Sequence, residues 1–582
     1  MREYSVKHPR PDFRRDGITL LTGKWEFAFD KADEGKKAQW YSSPVFHDEI
    51  TVPYPVESEL SGVRNTCDAE IFWYSRKIKA VGREGRRVFL CFGAVDYRCE
   101  VYIDGKYIGF HEGGYSYFEF DITGYLKKDG NVITLRVEDR LDPSIPRGKQ
   151  YWSKSPDRCW YTPVSGIWQP VWLEERGDVY IESVRITPDI DNRMAHLEAL
   201  ISGASDEETS LHIEITKNGK TYTDTSIRCA DRRICFSAYI KEDDYIDETH
   251  HWTPDNPQLY EVKCTLETGK SCDTVSLQFG MRKISVSKDR ILLNNKPFFQ
   301  RLVLDQGYFP ESIYTAVSDD DFINDIKLIK ALGFNGVRMH QKVEDPRFYY
   351  YCDKLGLAVW LEMPSMYSFT GDSALNLEKE WGEIILQHYN HPCIIAYAPL
   401  NESWGVRNIY SDARQQNFAL AMYHMTKSLD PTRFVSTNDG WEQVLSDVCA
   451  IHDYCESGEE LALKLGNFET LADTNAQNRM VYADGFGYGG EPVIISEFGG
   501  IAFSDDAKGE CWGYGGSVNG AEDYFRRLSS VVNAIVDSRG TCGYCYTQFT
   551  DVFQEVNGLV TIDRKVKTDI SRLNAIFTRT VW

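Results

Sequence analysis

The sequence predicts a multidomain chain in which an N-terminal β jelly roll and an immunoglobulin-like β-sandwich precede a C-terminal (β/α)8 TIM barrel. Three observations predict it. The first part of the chain carries short alternating segments broken by Gly and Asp. After Lys283 the pattern changes to strand, loop, helix, with eight β-rich segments. A length of 582 residues also exceeds one hydrophobic core, and at roughly 100–200 residues per domain it implies three or four units.

Residues 1–176 read as all-β. In "RVFLCFGAVDYRCEVYIDGKYIGFHEGGYSYFEFDIT" an Asp104-Gly105 pair separates "EVYI" from "KYIG" as a hairpin turn, and a jelly roll follows. Residues 177–282 repeat the pattern in "ESVRITP", "LHIEITKNGKTYTDT", "YEVKCTLE" and "DTVSLQFG", a length that suits an immunoglobulin-like sandwich without the Cys-Trp-Cys signature. Residues 283–582 hold "FFQRLVLDQ", "GVRMHQ", "AVWLEMP", "IIAYAPLNE", "RFVSTNDG", "AIHDY", "PVIISEFG" and "GYCYTQF". Amphipathic stretches separate most of them. In "SDDDFINDIKLIKALG", Ser318 and Asp321 form a capping pair, and Phe322, Ile326 and Ile329 share one helix face. The junctions around the fifth and sixth strands are less regular.

Composition narrows the function classes. With 65 Lys+Arg against 87 Asp+Glu the net charge is −22, which repels phosphate backbones and anionic membranes, so nucleic acid is not an expected partner. No window reaches the roughly 18 apolar residues of a membrane span, and "MREYSVKHPRPDFRRDG" has no apolar signal region, so a cytoplasmic location is expected. Fifteen scattered cysteines fit a reducing compartment. The Cys542/Cys545 pair has no second pair or His cluster to complete a zinc site and reads as two small strand residues.

In a TIM barrel the C-terminal strand ends build the active site. Those ends are Asp305 and Gln306, Arg338 and His340, Glu362, Asn401 and Glu402, Asn438 and Asp439, His452 with Asp453 and Tyr454, Glu497, and Gln548. Glu402 and Glu497 stand out as two carboxylates on one rim. One protonated and one ionised carboxyl facing each other is what glycosidic hydrolysis requires. Asn401 can bond a sugar hydroxyl beside the acid, and Trp404, Trp441 and Tyr454 offer rings for the apolar faces of a sugar. A strand-end Glu is more often a solvated rim residue, and each ring taken singly is more often core.

Five motifs carry a family resemblance over essentially the whole chain. "YTPVSGIWQPVWLE", "HWTPDNPQLYEVKCTL", "FGMRKISVSKDRILLNNKPFFQR", "NHPCIIAYAPLNESW" and "PVIISEFGG" resemble, in order, segments of the family 2 glycoside hydrolases, which include β-galactosidases, β-glucuronidases and β-mannosidases. The resemblance implies Glu402 as general acid/base, Asn401 as the contact to the sugar 2-hydroxyl, and Glu497 as nucleophile of a retaining, exo-acting enzyme. It implies a carbohydrate substrate, leaves a magnesium or sodium ion possible with no ligands assigned, and makes a homo-oligomer possible.

The departures concern the sugar. "RMHQKVEDP" keeps Arg338, but the family's histidine position falls on Gln341, and His340 sits one residue early. Where family β-glucuronidases carry Asn-x-Lys, this chain has Glu555 and Asn557, which removes a counter-charge for an anionic sugar and adds a repelling one. An acidic first-domain residue of the galactosidases aligns with Trp160, with Asp157 as its only nearby substitute. The residues at 555 and 557 disfavour glucuronides and Trp160 weakens the galactoside reading too; a neutral sugar, β-galactoside first, is expected, with a β-glucuronidase, β-mannosidase or other β-glycosidase on the same site as the alternative. A catalytically inactive carbohydrate-binding protein is the alternative from another class, and the presence of both carboxylates with Asn401 speaks against it. Two loops are expected at the rim, "PRGKQYWSKSPDRCWYT" at the entrance and "DTNAQNRMVYADGFGYGGE" on the aglycone side.

Overall fold

In the computed structural model, eight parallel strands form the C-terminal sheet in the order 5-4-3-2-1-8-7-6. They are Gln300–Asp305, Gly336–Met339, Ala358–Glu362, Ile394–Ala398, Phe434–Val435, Cys449–His452, Val493–Gly499 and Thr541–Thr547. The structure describes all residues except 1–3, 45, 65–68, 80–82, 154, 204–208, 243–246, 270, 469–470, 472–478, 504–511 and 580–582. The first six residues of the expected aglycone-side loop, 473–478, therefore lie outside the described residues.

The barrel strands are buried on both faces, as parallel strands must be. In the fourth strand Ile395 and Ala396 join Leu302, Leu304, Trp360 and Phe434 in the interior, while Ile394 and Tyr397 pack with the surrounding helices. The helix Asp319–Ala331 starts with the expected capping box from Ser318 and Asp321 and buries Phe322, Ile326 and Ile329. Cys542 and Cys545 are both buried on the eighth strand.

Among the described residues strands five and six share no ladder, which accounts for the irregular pattern in the sequence there. The fifth strand is two residues long, and among the described residues no helix intervenes before the sixth. Side chains bridge the seam instead. Gln443 Nε2 donates to Ala450 O at 2.8 Å, and Val435 N donates to Asp447 Oδ2 at 2.9 Å.

Two large antiparallel sheets make the body of the first unit. A six-stranded sheet runs from Asp48–Val52 through Gly23–Phe29, Ile71–Ile78, Asn131–Glu138 and Arg98–Ile103 to Lys106–Glu112, and a four-stranded sheet containing Arg86–Phe92 and Val171–Gly177 covers it. Phe27, Phe72, Leu90, Phe92 and Leu135 fill the space between. Asp104 and Gly105 both have positive φ, 48° and 77°, as a two-residue hairpin with the right twist needs. The second unit stacks a three-stranded and a four-stranded sheet over Ile181, Leu197, Ile213, Val262 and Val275.

A segment of the first unit lies on the barrel mouth. Arg147 N and Gly148 N both donate to Ser365 O, at 3.0 and 3.1 Å, and Tyr367 N donates to Pro143 O at 2.7 Å. Gln554 Nε2 donates to the carbonyls of Arg158 and Trp160 at 2.8 and 3.0 Å. Gly148 has φ of 59°, and a Cβ there would stand 2.1 Å from Gln341 O. Gly148→Ala is therefore expected to lift this strap at a cost of about 1–3 kcal/mol. Loss of activity with a lowered thermal midpoint is the expected measurement, and an alanine variant with wild-type kcat/KM would remove the strap's role.

Candidate functional site

Strand-end geometry places Asn401 and Glu402 where the fourth strand turns out of the barrel. Glu402 and Ser403 hold left-handed φ values of 50° and 55°, a sparsely populated conformation for such residues. Neighbouring groups hold it there: Glu402 N donates to Asp439 O at 2.9 Å, and Ser403 N donates to Asn438 Oδ1 at 3.0 Å. The turn aims the Glu402 carboxylate across the mouth, where Trp404 Nε1 donates to its Oε2 at 3.2 Å.

Glu497, on the seventh strand, comes to face it. A carboxylate oxygen of each glutamate and a ring nitrogen of His452 all lie within 4.8 Å of one another. His452 links the two: Nδ1 is 2.8 Å from Glu402 Oε1, and Nε2 is 2.9 Å from Asp439 Oδ2 and 3.5 Å from Glu497 Oε1. Burial works against charge on this imidazole, but Glu497, Asp439 and Glu402 outweigh it and raise its pKa to about 10. The three carboxylates favour its imidazolium form. Burial likewise raises Glu402, but the hydrogen bond and charge of His452 prevail and hold the carboxyl below the usual range.

Beneath them Arg338 is fully buried. Its Nε donates to Glu362 Oε2 at 2.7 Å, Nη1 to Glu497 Oε1 at 2.9 Å, and Nη2 to Asn401 Oδ1 at 2.6 Å; Nη1 also lies 2.8 Å from Asp439 Oδ2. Arg338 and His452 overcome burial to keep Asp439 well below the carboxylate range, whereas burial prevails at Glu362 and lifts it to about 7. Tyr454 OH donates to Glu497 Oε2 at 2.5 Å. Asn401 Nδ2 is buried with no partner among the described residues. His340 Nδ1 lies 3.1 Å from Glu362 Oε1 and 3.9 Å from Glu497 Oε1 without hydrogen-bond geometry.

The remaining strand-end residues divide. Gln306 and Gln548 belong to a polar corner beside the eighth strand, where Gln306 Nε2 donates to Gln548 Oε1 at 2.6 Å and Gln548 Nε2 donates to Glu555 Oε1 at 2.9 Å and Asn557 Oδ1 at 2.7 Å. Trp441 stands 6.2 Å from Trp404, ring to ring. Asp305 and Asp453 do not join the carboxylate pair. Asp305 Oδ1 accepts from Gly307 N at 3.0 Å, and Asp453 is engaged by Lys464 at 3.1 Å and Cys455 N at 2.8 Å. Both brace turns. Gln341 braces the third-strand loop, donating from Nε2 to Ser365 Oγ at 3.0 Å. Asp157 is exposed and does not supply the acid that Trp160 displaces.

Tertiary structure adds residues with no strand-end signal. Trp160 reaches Trp404 at 5.4 Å, Trp152 reaches Tyr367 at 4.1 Å, and Tyr367 reaches Trp404 at 5.5 Å. Together they wall the mouth beside Glu402. Tyr161 OH donates to Glu555 Oε2 at 2.5 Å. The "PRGKQYW" and "DRCWYT" stretches were the available signal, through their aromatic density. Lys149 carried none. It is 4% exposed, and its ammonium makes no hydrogen bond or ion pair with any described residue.

Among the described residues two donor groups come close enough to share a cation. One is Glu402, His452 and Glu497; the other is Asp353, His391 and Cys393. In the second the donors already satisfy one another, Asp353 Oδ2 lying 2.6 Å from His391 Nδ1 and Oδ1 accepting from Cys393 N at 2.9 Å.

Family models for the glycosyl hydrolases family 2 match residues 18–175 (sugar binding domain), 179–282, and 284–503 (TIM barrel domain). The chain belongs to glycosyl hydrolase family 2. A β-galactosidase of Vibrio vulnificus YJ016 is 26% identical over 468 residues, 73% of this chain and 43% of its own length. A β-glucuronidase of Rattus norvegicus is 24% identical over 533 residues, 84% and 78% of the two chains. This member of the family spans less than half the length of the first curated relatives it matches. Among solved structures, the Bifidobacterium dentium β-glucuronidase complexed with coumarin-3-O-glucuronide aligns with a TM-score of 0.78 at 19% identity, covering 99% of both chains. The Eisenbergiella tayi β-galacturonidase bound to glycerol aligns at 0.74 and 20%, covering 98% and 97%. At such identity these likenesses concern the family 2 fold.

Proposed function

We propose that the chain is a retaining, exo-acting β-glycosidase with Glu497 as nucleophile and Glu402 as general acid/base. The observation that carries this reading is that a carboxylate oxygen of Glu402 and one of Glu497 approach within 4.8 Å across the mouth. Direct attack and a covalent glycosyl-enzyme need a separation near 5 Å, whereas inversion needs about 6.5–9.5 Å to admit a water. Glu497 attacks the anomeric carbon while Glu402 passes a proton to the departing oxygen; because the free site holds Glu402 ionised, that proton is supplied by His452, whose Nδ1 lies 2.8 Å from Glu402 Oε1, and Glu402 then takes a proton from the water that releases the sugar. Arg338, Tyr454 and His452 hold Glu497 in line. Asn401 Nδ2, buried and unpartnered, is placed to donate to a glycone hydroxyl. The strap across the mouth favours a pocket that takes one terminal sugar, with Trp404 and Trp160 flanking the leaving group.

For the glycone, the sequence favours a neutral sugar, β-galactoside first, because no cation stands at residue 557. Lys149 favours an acidic one instead. Incubation with 2-deoxy-2-fluoro-β-glycosyl fluorides followed by peptide mapping tests the mechanism, and a label on Glu497 with release of aglycone from aryl β-glycosides is expected. Sugar retention with neither label nor aglycone release would instead support a binding protein.

A further inference from the structure

Lys149 is a buried cation with unused donors, and the chain around it is held from both sides. Gly148 N donates to Ser365 O at 3.1 Å, and Tyr161 N donates to Lys149 O at 2.8 Å. Tyr367 OH donates to Gly148 O. Tyr161 continues to Glu555 Oε2 at 2.5 Å and receives Gln306 Nε2 at 2.9 Å, so the strap is tied to the corner beside the eighth strand. Burial opposes the ammonium's charge, and Cys159, Tyr367, Glu555 and Glu402 together favour it. Its field also reaches His340. The backbone bonds of Gly148 and Lys149 to Ser365 and Tyr161, and the close approach of Gly148 to Gln341 O, place Lys149 against the barrel mouth beside the second- and third-strand loops.

Glu555 is not its ion-pair partner. Glu555 Oε1 accepts from Gln548 Nε2 at 2.9 Å and Asn557 Nδ2 at 3.0 Å, and Oε2 accepts from Tyr161. Burial lifts this carboxyl to about 7, with Lys149 acting against the shift, so it loses most of its negative charge in mildly acidic solution. The repulsion expected from sequence is weakened. The ammonium makes no hydrogen bond or ion pair with a described residue, and a ligand anion meeting it supplies both the hydrogen bonds and the opposite charge. A sugar hydroxyl restores only the hydrogen bonds.

We propose that Lys149, carried on the first-domain strap, is the residue that selects a β-linked hexuronic acid as the glycone by receiving its carboxylate. This rests on the retaining exo-glycosidase reading and names the substrate class of that site. The cation comes from a different domain than the residue pair at 555 and 557.

The test compares matched pairs of nitrophenyl glycosides, β-glucuronide with β-glucoside and β-galacturonide with β-galactoside. In the wild type at least one acid-to-neutral ratio of kcat/KM is expected to exceed one. In Lys149→Met that ratio should fall by about 30- to 100-fold, the scale of one charge-assisted contact, with partial recovery in Lys149→Arg. Both wild-type ratios below one, or a ratio unchanged in Lys149→Met, would overturn the proposal; if the methionine variant does not fold, the wild-type ratios decide alone. Neutral preference with Glu497 still labelled by the fluoro-sugar would defeat only the role of Lys149. No turnover of any of the four glycosides and no label would defeat the glycosidase reading with it.

Discussion

Glu497→Gln is expected to lower kcat by about 10^4-fold or more, a loss of roughly 5 kcal/mol of transition-state stabilisation. The amide is neutral and cannot form the glycosyl-enzyme, yet its oxygen can still accept from Arg338 while its Nε2 donates to the Tyr454 hydroxyl, so the variant should keep its thermal midpoint within a few degrees. Loss of activity is thus separable from loss of fold. Glu402→Gln should behave differently. Glu402 acts on the leaving oxygen, so this variant should fail on poor leaving groups, retain turnover of activated aryl glycosides, and still take the fluoro-sugar label on Glu497. Steady-state kinetics over a series of phenol leaving groups read this directly. A Glu497→Gln variant with more than a tenth of wild-type kcat, or a Glu402→Gln variant equally impaired on all leaving groups, would reverse or remove the assignment.

Arg338→Met is expected to affect both stability and catalysis. The guanidinium is the shared partner of Glu362, Asp439, Glu497 and the Asn401 amide oxygen in a fully buried position. Removing it leaves carboxylates uncompensated, which costs about 3–5 kcal/mol. The pH dependence has a definite sign. Asp439 has its folded pKa depressed, so it contributes stability above its unfolded value that is lost only as pH falls through the folded one. Without Arg338 that contribution shrinks, and protonation relieves the stranded charges. The gap in thermal inactivation rate between wild type and variant should therefore be wide at pH 7.5 and narrow toward pH 5. A gap that widened as pH fell would show that Arg338 is not the counter-charge of this cluster.

Different parts of this molecule were legible to different degrees, and the reason is the range of the interactions involved. The alternation of "EVYI" and "KYIG" around Asp104-Gly105, and the capping pair Ser318 and Asp321, are local, so sequence reading placed them. The fifth and sixth strands were harder because side chains such as Gln443 and Asp447 close that seam in place of a ladder, and side-chain bridges leave no period. At the site, strand ends identified Glu402, Glu497, Arg338, His340, His452 and Tyr454, because a barrel gathers those ends on one rim. They did not separate the residues facing the cavity from Asp305 and Asp453, whose carboxylates are taken by turns.

What the sequence determined by itself is the architecture and the carboxylate pair, since both follow from periodicity and from motifs a few residues long. Only the tertiary structure decided how that pair is charged and what surrounds it. Glu402 is held below its ordinary range by an imidazolium from another strand, and Glu362 is lifted to about 7 by burial. Tyr161 meets Glu555 from 394 residues away, and Lys149 is brought beside them by a strap that crosses from the first domain. Electrostatic fields and domain contacts act through space between residues far apart in the chain, and in a low-dielectric mouth they are strong.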